Sequence, residues 1–81
     1  MPSISPRVVL YSRSDCHLCD VAHADLERIC ADLAVGFDTV DVDTDPDLRA
    51  QYGDRVPVIV VDGREHASFR VKESALRAAL A

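Results

Sequence analysis

The chain has 81 residues, enough for one small domain, which we expect to span residues 1–81. Its hydrophobic fraction of 48% and charged fraction of 28% exclude a disordered tail and a coiled-coil rod. Nine Lys and Arg residues stand against 14 Asp and Glu residues, and a net charge of −5 argues against nucleic acid as a partner.

The first predicted elements are a buried strand and a long helix. Residues 7–11 form a run that, after Arg7, is apolar and rich in β-branched residues without alternation, which predicts a strand covered on both faces. From Cys16 the spacing of the apolar residues becomes helical. One side of this helix carries Leu18, Ala22, Leu26, Ile29 and Leu33. Ser14 or Asp15 is the expected N-cap, and Gly36 lies just past the expected end.

A second strand and a short helix follow in the middle of the chain. Residues 37–42 predict the strand by their alternation. The Asp45-Pro46 step predicts a helix start, because Asp is a favoured N-cap and Pro is favoured at the first helical position. Gly53 predicts the end of this helix.

The last third of the chain predicts a hairpin and a closing helix. Residues 58–61 are continuously apolar, as in a central strand, and Asp62-Gly63 is a strong hairpin-turn signal. The next strand alternates as an edge strand does. Its apolar side carries Ala67, Phe69 and Val71. Residues 72–80 predict the final helix.

The predicted order of elements is β-α-β-α-β-β-α, which defines an α/β fold. A β-α-β unit places its two strands in parallel through a right-handed crossover. The hairpin adds an antiparallel pair, so the four-stranded sheet is expected to be mixed.

The feature of the sequence that carries chemistry is the pair Cys16 and Cys19, at the predicted junction of strand and helix. Free backbone N–H groups and the helix dipole stabilise a thiolate at a helix N-terminus, so Cys16 is expected to be the exposed, more acidic thiol. Cys19 follows by about one turn, within reach of Cys16. The pattern predicts thiol–disulfide exchange, with Cys16 as nucleophile and Cys19 as resolving thiol.

The three cysteines also bear on compartment and on metal binding. Their odd number argues against a secreted disulfide scaffold, and without a leader-like segment or an apolar run of ~20 residues we expect a cytoplasmic protein with no membrane partner. Zinc is the alternative, since Cys-x-x-Cys is half of a structural zinc site and His17 or His23 could contribute. Only Cys30 and His66 remain downstream, so no metal site is expected. Cys30 lies about 16 Å along the helix from Cys19, too far for a disulfide, and is expected to be a small buried hydrophobe.

Residues near the cysteines are candidate substrate contacts. Arg13 precedes Cys16 by three residues, where a positive charge would lower the pKa of the thiol or bind an anionic partner; a solvated arginine is the alternative. His17 is a second candidate, with an exposed spacer as the alternative. The Val56-Pro57 step either ends a loop or forms a cis peptide that brings backbone beside the thiols.

The segment Tyr11–Cys19 resembles the active-site segment of glutaredoxins, and Val56-Pro57 resembles their cis-proline step. In particular, the chain resembles small bacterial glutaredoxin-like proteins of the thioredoxin superfamily. The resemblance covers nearly the whole chain and implies a thioredoxin-like fold, with a four-stranded mixed sheet and helices on both faces.

The resemblance also implies residue roles. By analogy Cys16 attacks, Cys19 resolves, and the Pro57 loop supports the substrate. The backbone of Val56 and the side chain of Arg13 fall where glutathione-binding members contact the tripeptide.

The chain departs from the glutaredoxin pattern at three places. His17-Leu18 replaces the Pro-Tyr spacer, Arg55 replaces a Thr, and residues 69–73 lack the Gly-Gly and Asp that hold a glutathione carboxylate. These departures put glutathione in doubt, while another low-molecular-weight thiol as co-substrate stays open. No cofactor is expected.

We therefore expect a thiol–disulfide oxidoreductase of the glutaredoxin type that acts, as a monomer, on a disulfide-containing protein or a small thiol substrate. The alternative is a thioredoxin-fold binding or metal-carrying module without redox turnover. A thiol-dependent peroxidase or arsenate reductase is a third hypothesis, for which no distinctive residue argues.

Overall fold

A computed structural model describes residues 7–81, so the first six residues of the expected domain lie outside the described part. The elements follow the predicted order. They are β1 (Val8–Ser12), α1 (His17–Asp32), β2 (Phe37–Asp41), α2 (Pro46–Tyr52), β3 (Val58–Val61), β4 (Arg64–Ser68) and α3 (Glu73–Leu80). A single 3-10 turn, Val42–Thr44, joins β2 to α2.

The four strands form one mixed sheet in the order β2-β1-β3-β4. β1 runs parallel to β2 and antiparallel to β3, and β3 pairs antiparallel with β4. The continuously apolar β3 is buried along its whole length, as its sequence predicts for a central strand. The hairpin turn has φ of 52° at Asp62 and 81° at Gly63, the left-handed pair that a tight hairpin needs.

One face of the sheet forms the hydrophobic core with α1 and α3. Alternate residues of β1 and β3 point to this face, because successive side chains of a strand alternate. The buried cluster contains Val8, Leu10, Ala22, Leu26, Ile29, Cys30, Ile59, Val61, Ala67, Leu76 and Leu80. Cys30 is 2% exposed, which confirms its expected place as a small buried residue.

The opposite face of the sheet carries α2. Tyr11 of β1 stacks on Tyr52 of α2, with ring centroids 4.4 Å apart. The helices therefore lie on both faces, and the α/β, thioredoxin-like prediction is confirmed. Asp45 caps α2 by accepting the Asp47 N–H at 2.8 Å, with Pro46 at the first position, also as predicted.

The ends of α1 differ from the sequence prediction. Its N-cap is Cys16 rather than Ser14 or Asp15. At the other end Ala34, not Gly36, takes the left-handed position, with φ of 55°. The Val35 N–H bonds to the Cys30 carbonyl at 2.9 Å and the Ala34 N–H to the Ala31 carbonyl at 3.2 Å, so the helix ends in a complete Schellman motif.

Two apolar residues predicted on buried faces are exposed. β4 ends at Ser68, because Pro57 on the neighbouring strand has no N–H with which to continue the ladder. Phe69 still donates its N–H to the Pro57 carbonyl at 2.7 Å, but it has a left-handed φ of 70° and is 51% exposed. Leu18 is 50% exposed, since the burial of α1 begins only at the next residue, Cys19.

The amino end of β1 is held by Arg7. Its guanidinium donates to both carboxylate oxygens of Asp62 at 2.9 Å and to the Ala79 carbonyl at 3.3 Å. These contacts gather the start of β1, the hairpin turn and the end of α3 at one end of the sheet. The cysteines lie at the other end, beyond Ser12.

Candidate functional site

Cys16 and Cys19 are joined by a disulfide at the carboxyl end of β1. Their Cα atoms are 5.2 Å apart, an ordinary separation for such a bond. Strand β1 delivers the chain to this point and α1 begins directly after Cys16. The local fold therefore brings together the two thiols that the spacing predicts to interact.

The two cysteines differ in exposure and in their contacts. Cys16 is partly exposed, whereas Cys19 is 4% exposed. As the N-cap, the Cys16 Sγ accepts the backbone N–H of Cys19 at 3.1 Å. A donor at this position and the positive end of the helix dipole both favour negative charge on Sγ. A partner thus reaches Cys16 first, and Cys19 lies behind it.

Arg13 lies in the segment between the end of β1 and Cys16, and its side chain forms an ion pair. Its Nε donates to the Asp43 Oδ2 at 3.0 Å. The sequence leaves an activating or anion-binding role open beside that of a solvated arginine, and no local pattern indicates Asp43 as the partner. The signal for that pair was the parallel β-α-β unit, which places the ends of β1 and β2 side by side.

The Val56-Pro57 peptide bond is cis and opens β3. Tyr11 pairs with Val58, so the residue before Val58 lies at the same end of the sheet as Ser12 and the segment that leads to Cys16. Pro57 is buried and Val56 partly exposed. The Phe69 hydrogen bond to the Pro57 carbonyl brings the exposed Phe69 to this end as well, a residue that sequence reasoning assigned to the core.

His17 and Arg55 have different surroundings. His17 is the first residue of α1 and is exposed. Arg55, which precedes the cis-proline step, forms an ion pair with Glu65 and lies 5.7 Å from the centroid of the Tyr52 ring. Arg55 therefore holds α2 to the sheet.

The third cysteine lies away from the cysteine pair, in the hydrophobic core. Cys30 is a free thiol within the core, and burial raises the pKa of that thiol. Within residues 7–81 no three His, Cys, Asp or Glu side chains lie together as a metal site requires. His23, a possible ligand by sequence, instead lies 3.1 Å from the Glu27 carboxylate.

No helix in the described range has the length and apolar character needed to cross a bilayer.

Comparison with known proteins extends these observations. A family model described as "Glutaredoxin-like domain (DUF836)" matches residues 7–81. An uncharacterised protein of Mycobacterium tuberculosis (strain ATCC 25618 / H37Rv) is 40% identical, over 94% of this chain and 84% of the relative.

Solved structures are similar over nearly the whole chain. A structural-genomics target protein from X. campestris is 40% identical with a TM-score of 0.73, covering 90% of this chain and 93% of that one. The Ne2328 protein of Nitrosomonas europaea is 26% identical with a TM-score of 0.80, covering 100% and 99%. Thioredoxins and a glutaredoxin match at TM-scores of 0.58–0.64 and identities of 17–26%. The chain belongs to the glutaredoxin-like domain family and has a thioredoxin-like fold.

Proposed function

We propose that this protein is a thiol–disulfide oxidoreductase that works through Cys16 and Cys19. The observation that carries the proposal is the asymmetric pair itself: a partly exposed cysteine whose sulfur caps a helix, bonded to a buried cysteine. Membership of the glutaredoxin-like family supports the same chemistry.

The proposed reaction has two exchange steps. The Cys16 thiolate attacks one sulfur of a substrate disulfide, the substrate S–S bond breaks, and one substrate thiolate leaves. Cys19 then gives up its proton and attacks the Cys16 Sγ, which breaks the mixed disulfide and releases the second substrate thiol. The two electrons of the reduced Cys16–Cys19 pair reduce the substrate disulfide. Of the two protons on the released thiols, one comes from Cys19 and one from the solvent, which took it up when the Cys16 thiolate formed.

The proposed substrate site lies at the end of the sheet that carries the cysteines. His17 is exposed at the start of α1, and the cis Val56-Pro57 step opens the neighbouring strand. We place the part of the substrate that adjoins its reacting sulfur, whether a polypeptide or a small thiol, between His17 and the Val56-Pro57 step. Arg13 borders the same end. A disulfide-containing protein or a low-molecular-weight thiol fits this role, and the reaction requires no cofactor.

A redox titration tests the proposal. The free thiols of metal-free protein are counted across a dithiothreitol series, and one two-electron transition that consumes two of three thiols is expected. Cys16→Ser should abolish both the transition and the turnover of a small disulfide. Cys19→Ser should accumulate a mixed disulfide on Cys16, visible as added mass.

A matched control separates chemistry from folding. Cys30→Ala removes the third thiol from the core without touching the pair, and it should keep the transition and the turnover. Serine is itself a favoured N-cap, so Cys16→Ser should remain folded. Full turnover by Cys16→Ser, or three thiols that stay reduced throughout the titration, would refute the oxidoreductase.

A further inference from the structure

The ion pair of Arg13 and Asp43 lies at the end of the sheet that carries the cysteines. β1 and β2 run in parallel and end together, with Ser12 paired to Asp41. Arg13 follows β1 by one residue and Asp43 follows β2 by two, so the two side chains leave the sheet next to each other. Three residues beyond Arg13 the chain reaches Cys16.

Asp43 is held in place by its own turn. Its N–H donates to the Asp41 Oδ1 at 2.9 Å, and the Thr44 hydroxyl donates to the Asp41 carbonyl at 2.7 Å. The carboxylate is therefore presented to the Arg13 guanidinium by a hydrogen-bonded 3-10 turn. The side chains of the pair are 40% and 34% exposed, and an ion pair so open to water contributes little to folding stability.

The ion pair of Arg13 and Asp43 matters more for the charge that a substrate meets than for folding stability. A free guanidinium near a reactive sulfur attracts carboxylates, because its fork of N–H donors matches them. Here the Asp43 carboxylate accepts a hydrogen bond from the Arg13 Nε and places a compensating negative charge beside the guanidinium, which weakens its attraction for a second carboxylate. The exposed carboxylates of Asp15 and Asp20 flank the cysteines and add negative charge.

We infer that Asp43 is a specificity-determining residue: by holding Arg13, it directs the cysteine pair toward disulfides that are neutral or cationic beside their sulfur atoms, and away from anionic ones. The inference rests on the proposed function, since it concerns the substrate of the same pair. Arg70 and Lys72 also lie at this end and have no carboxylate within 4 Å among residues 7–81. They follow β4, whose axis lies two strand spacings, about 10 Å, from that of β1, so they border the cysteine end from the opposite edge of the sheet to Asp43.

The test compares small disulfides of different charge. Rate constants of the reduced protein are measured at low ionic strength with dicationic cystamine, dianionic 3,3′-dithiodipropionate and neutral bis(2-hydroxyethyl) disulfide. Asp43→Asn should raise the ratio of the anionic to the cationic rate roughly three- to tenfold, as expected for removal of one charge at short range. The shift should shrink as salt screens the charges.

Two further variants make the result specific. Asp47→Asn removes an exposed carboxylate from the first turn of α2, which Arg13 does not contact, and should move the ratio less than twofold. Adding Arg13→Gln to Asp43→Asn should return the ratio to near the wild-type value.

The outcomes also separate the inference from the proposed function. Equal shifts in Asp43→Asn and Asp47→Asn, with exchange intact, would overturn the inference and leave the oxidoreductase standing. A wild-type protein that reacts with none of the three disulfides would overturn both.

Discussion

At the scale of single residues, Cys16 has two structural roles. Its sulfur closes the disulfide and, as the N-cap, accepts the Cys19 N–H at the start of α1. The helix thus loses a hydrogen-bond acceptor as well as a thiol when this side chain is removed. The two losses can be separated by the choice of the replacing residue.

Cys16→Ala should destabilise the reduced protein by about 1 kcal/mol relative to Cys16→Ser, because Ser caps a helix and Ala does not. Both variants lack the disulfide, so the comparison isolates the cap. The measurement is urea unfolding of the two variants under reducing conditions, followed by far-UV circular dichroism. Equal free energies of unfolding would show that the cap contributes nothing.

At the scale of elements, the end of α1 departs from the usual residue choice. Ala34 holds the left-handed position of a Schellman motif, which glycine adopts without steric cost and alanine does not. The glycine of this segment, Gly36, stands two residues too late to serve. The motif forms regardless, because its two hydrogen bonds and the burial of α1 outweigh the strain at one residue.

Ala34→Gly should therefore stabilise the protein, by about 1 kcal/mol, through relief of the left-handed strain. The matched control is Ala24→Gly, in the exposed middle of the same helix, which should destabilise by about 1 kcal/mol. Thermal or urea unfolding of both variants checks the opposite signs. A loss of stability in Ala34→Gly would contradict the strain argument.

At the scale of the whole molecule, a charged network joins the first helix to the last. The Glu73 carboxylate accepts from Arg28 of α1 at 3.0 Å and from Arg77 of α3 at 3.0 Å. Arg77 also donates to Asp32 at 2.8 Å. These hydrogen bonds lower the pKa of Glu73 to about 2 from its ordinary 4.5. Acid should therefore weaken the packing of α3 on α1.

The sign of the pH effect follows from the lowered pKa. A carboxyl group whose pKa is lower in the folded than in the unfolded protein stabilises the folded state at pH values above its unfolded pKa. For Glu73 this stabilisation is lost as the pH falls from about 4.5 toward 2. The free energy of unfolding should fall over this range, and less steeply in Glu73→Gln. Urea titrations at pH 5, 4 and 3 measure the slope. Equal slopes in the two proteins would assign the acid sensitivity to other carboxylates, such as Asp62 beside Arg7, whose pKa is also lowered.

The parts of the fold that depend on local patterns were predictable. The apolar run of β3, the Asp62-Gly63 turn and the Asp45-Pro46 start of α2 each carry a signal within a few residues. The spacing of Cys16 and Cys19 is also a signal contained within a few residues. These signals were enough for the order of elements and for the mixed sheet.

Two of the features that were missed depend on contacts between distant segments. Phe69 continues the alternation of an edge strand, yet the ladder ends opposite Pro57, 12 residues earlier, which has no N–H to donate, and Phe69 takes a left-handed φ. Asp43 meets Arg13 across 30 residues, and only the register of β1 with β2 specifies that contact. Cys16 was missed as the N-cap because thiols are not among the favoured capping side chains.

The Arg7 contacts suggest how the protein could be mounted on a surface. The start of β1, the hairpin turn and the end of α3 meet at the end of the sheet opposite the cysteines. The five residues of β1 separate the two ends by about 15 Å. A linker attached through a non-natural side chain at the exposed Arg64 would leave the cysteine pair facing the solution, as an electrode-bound redox reporter requires.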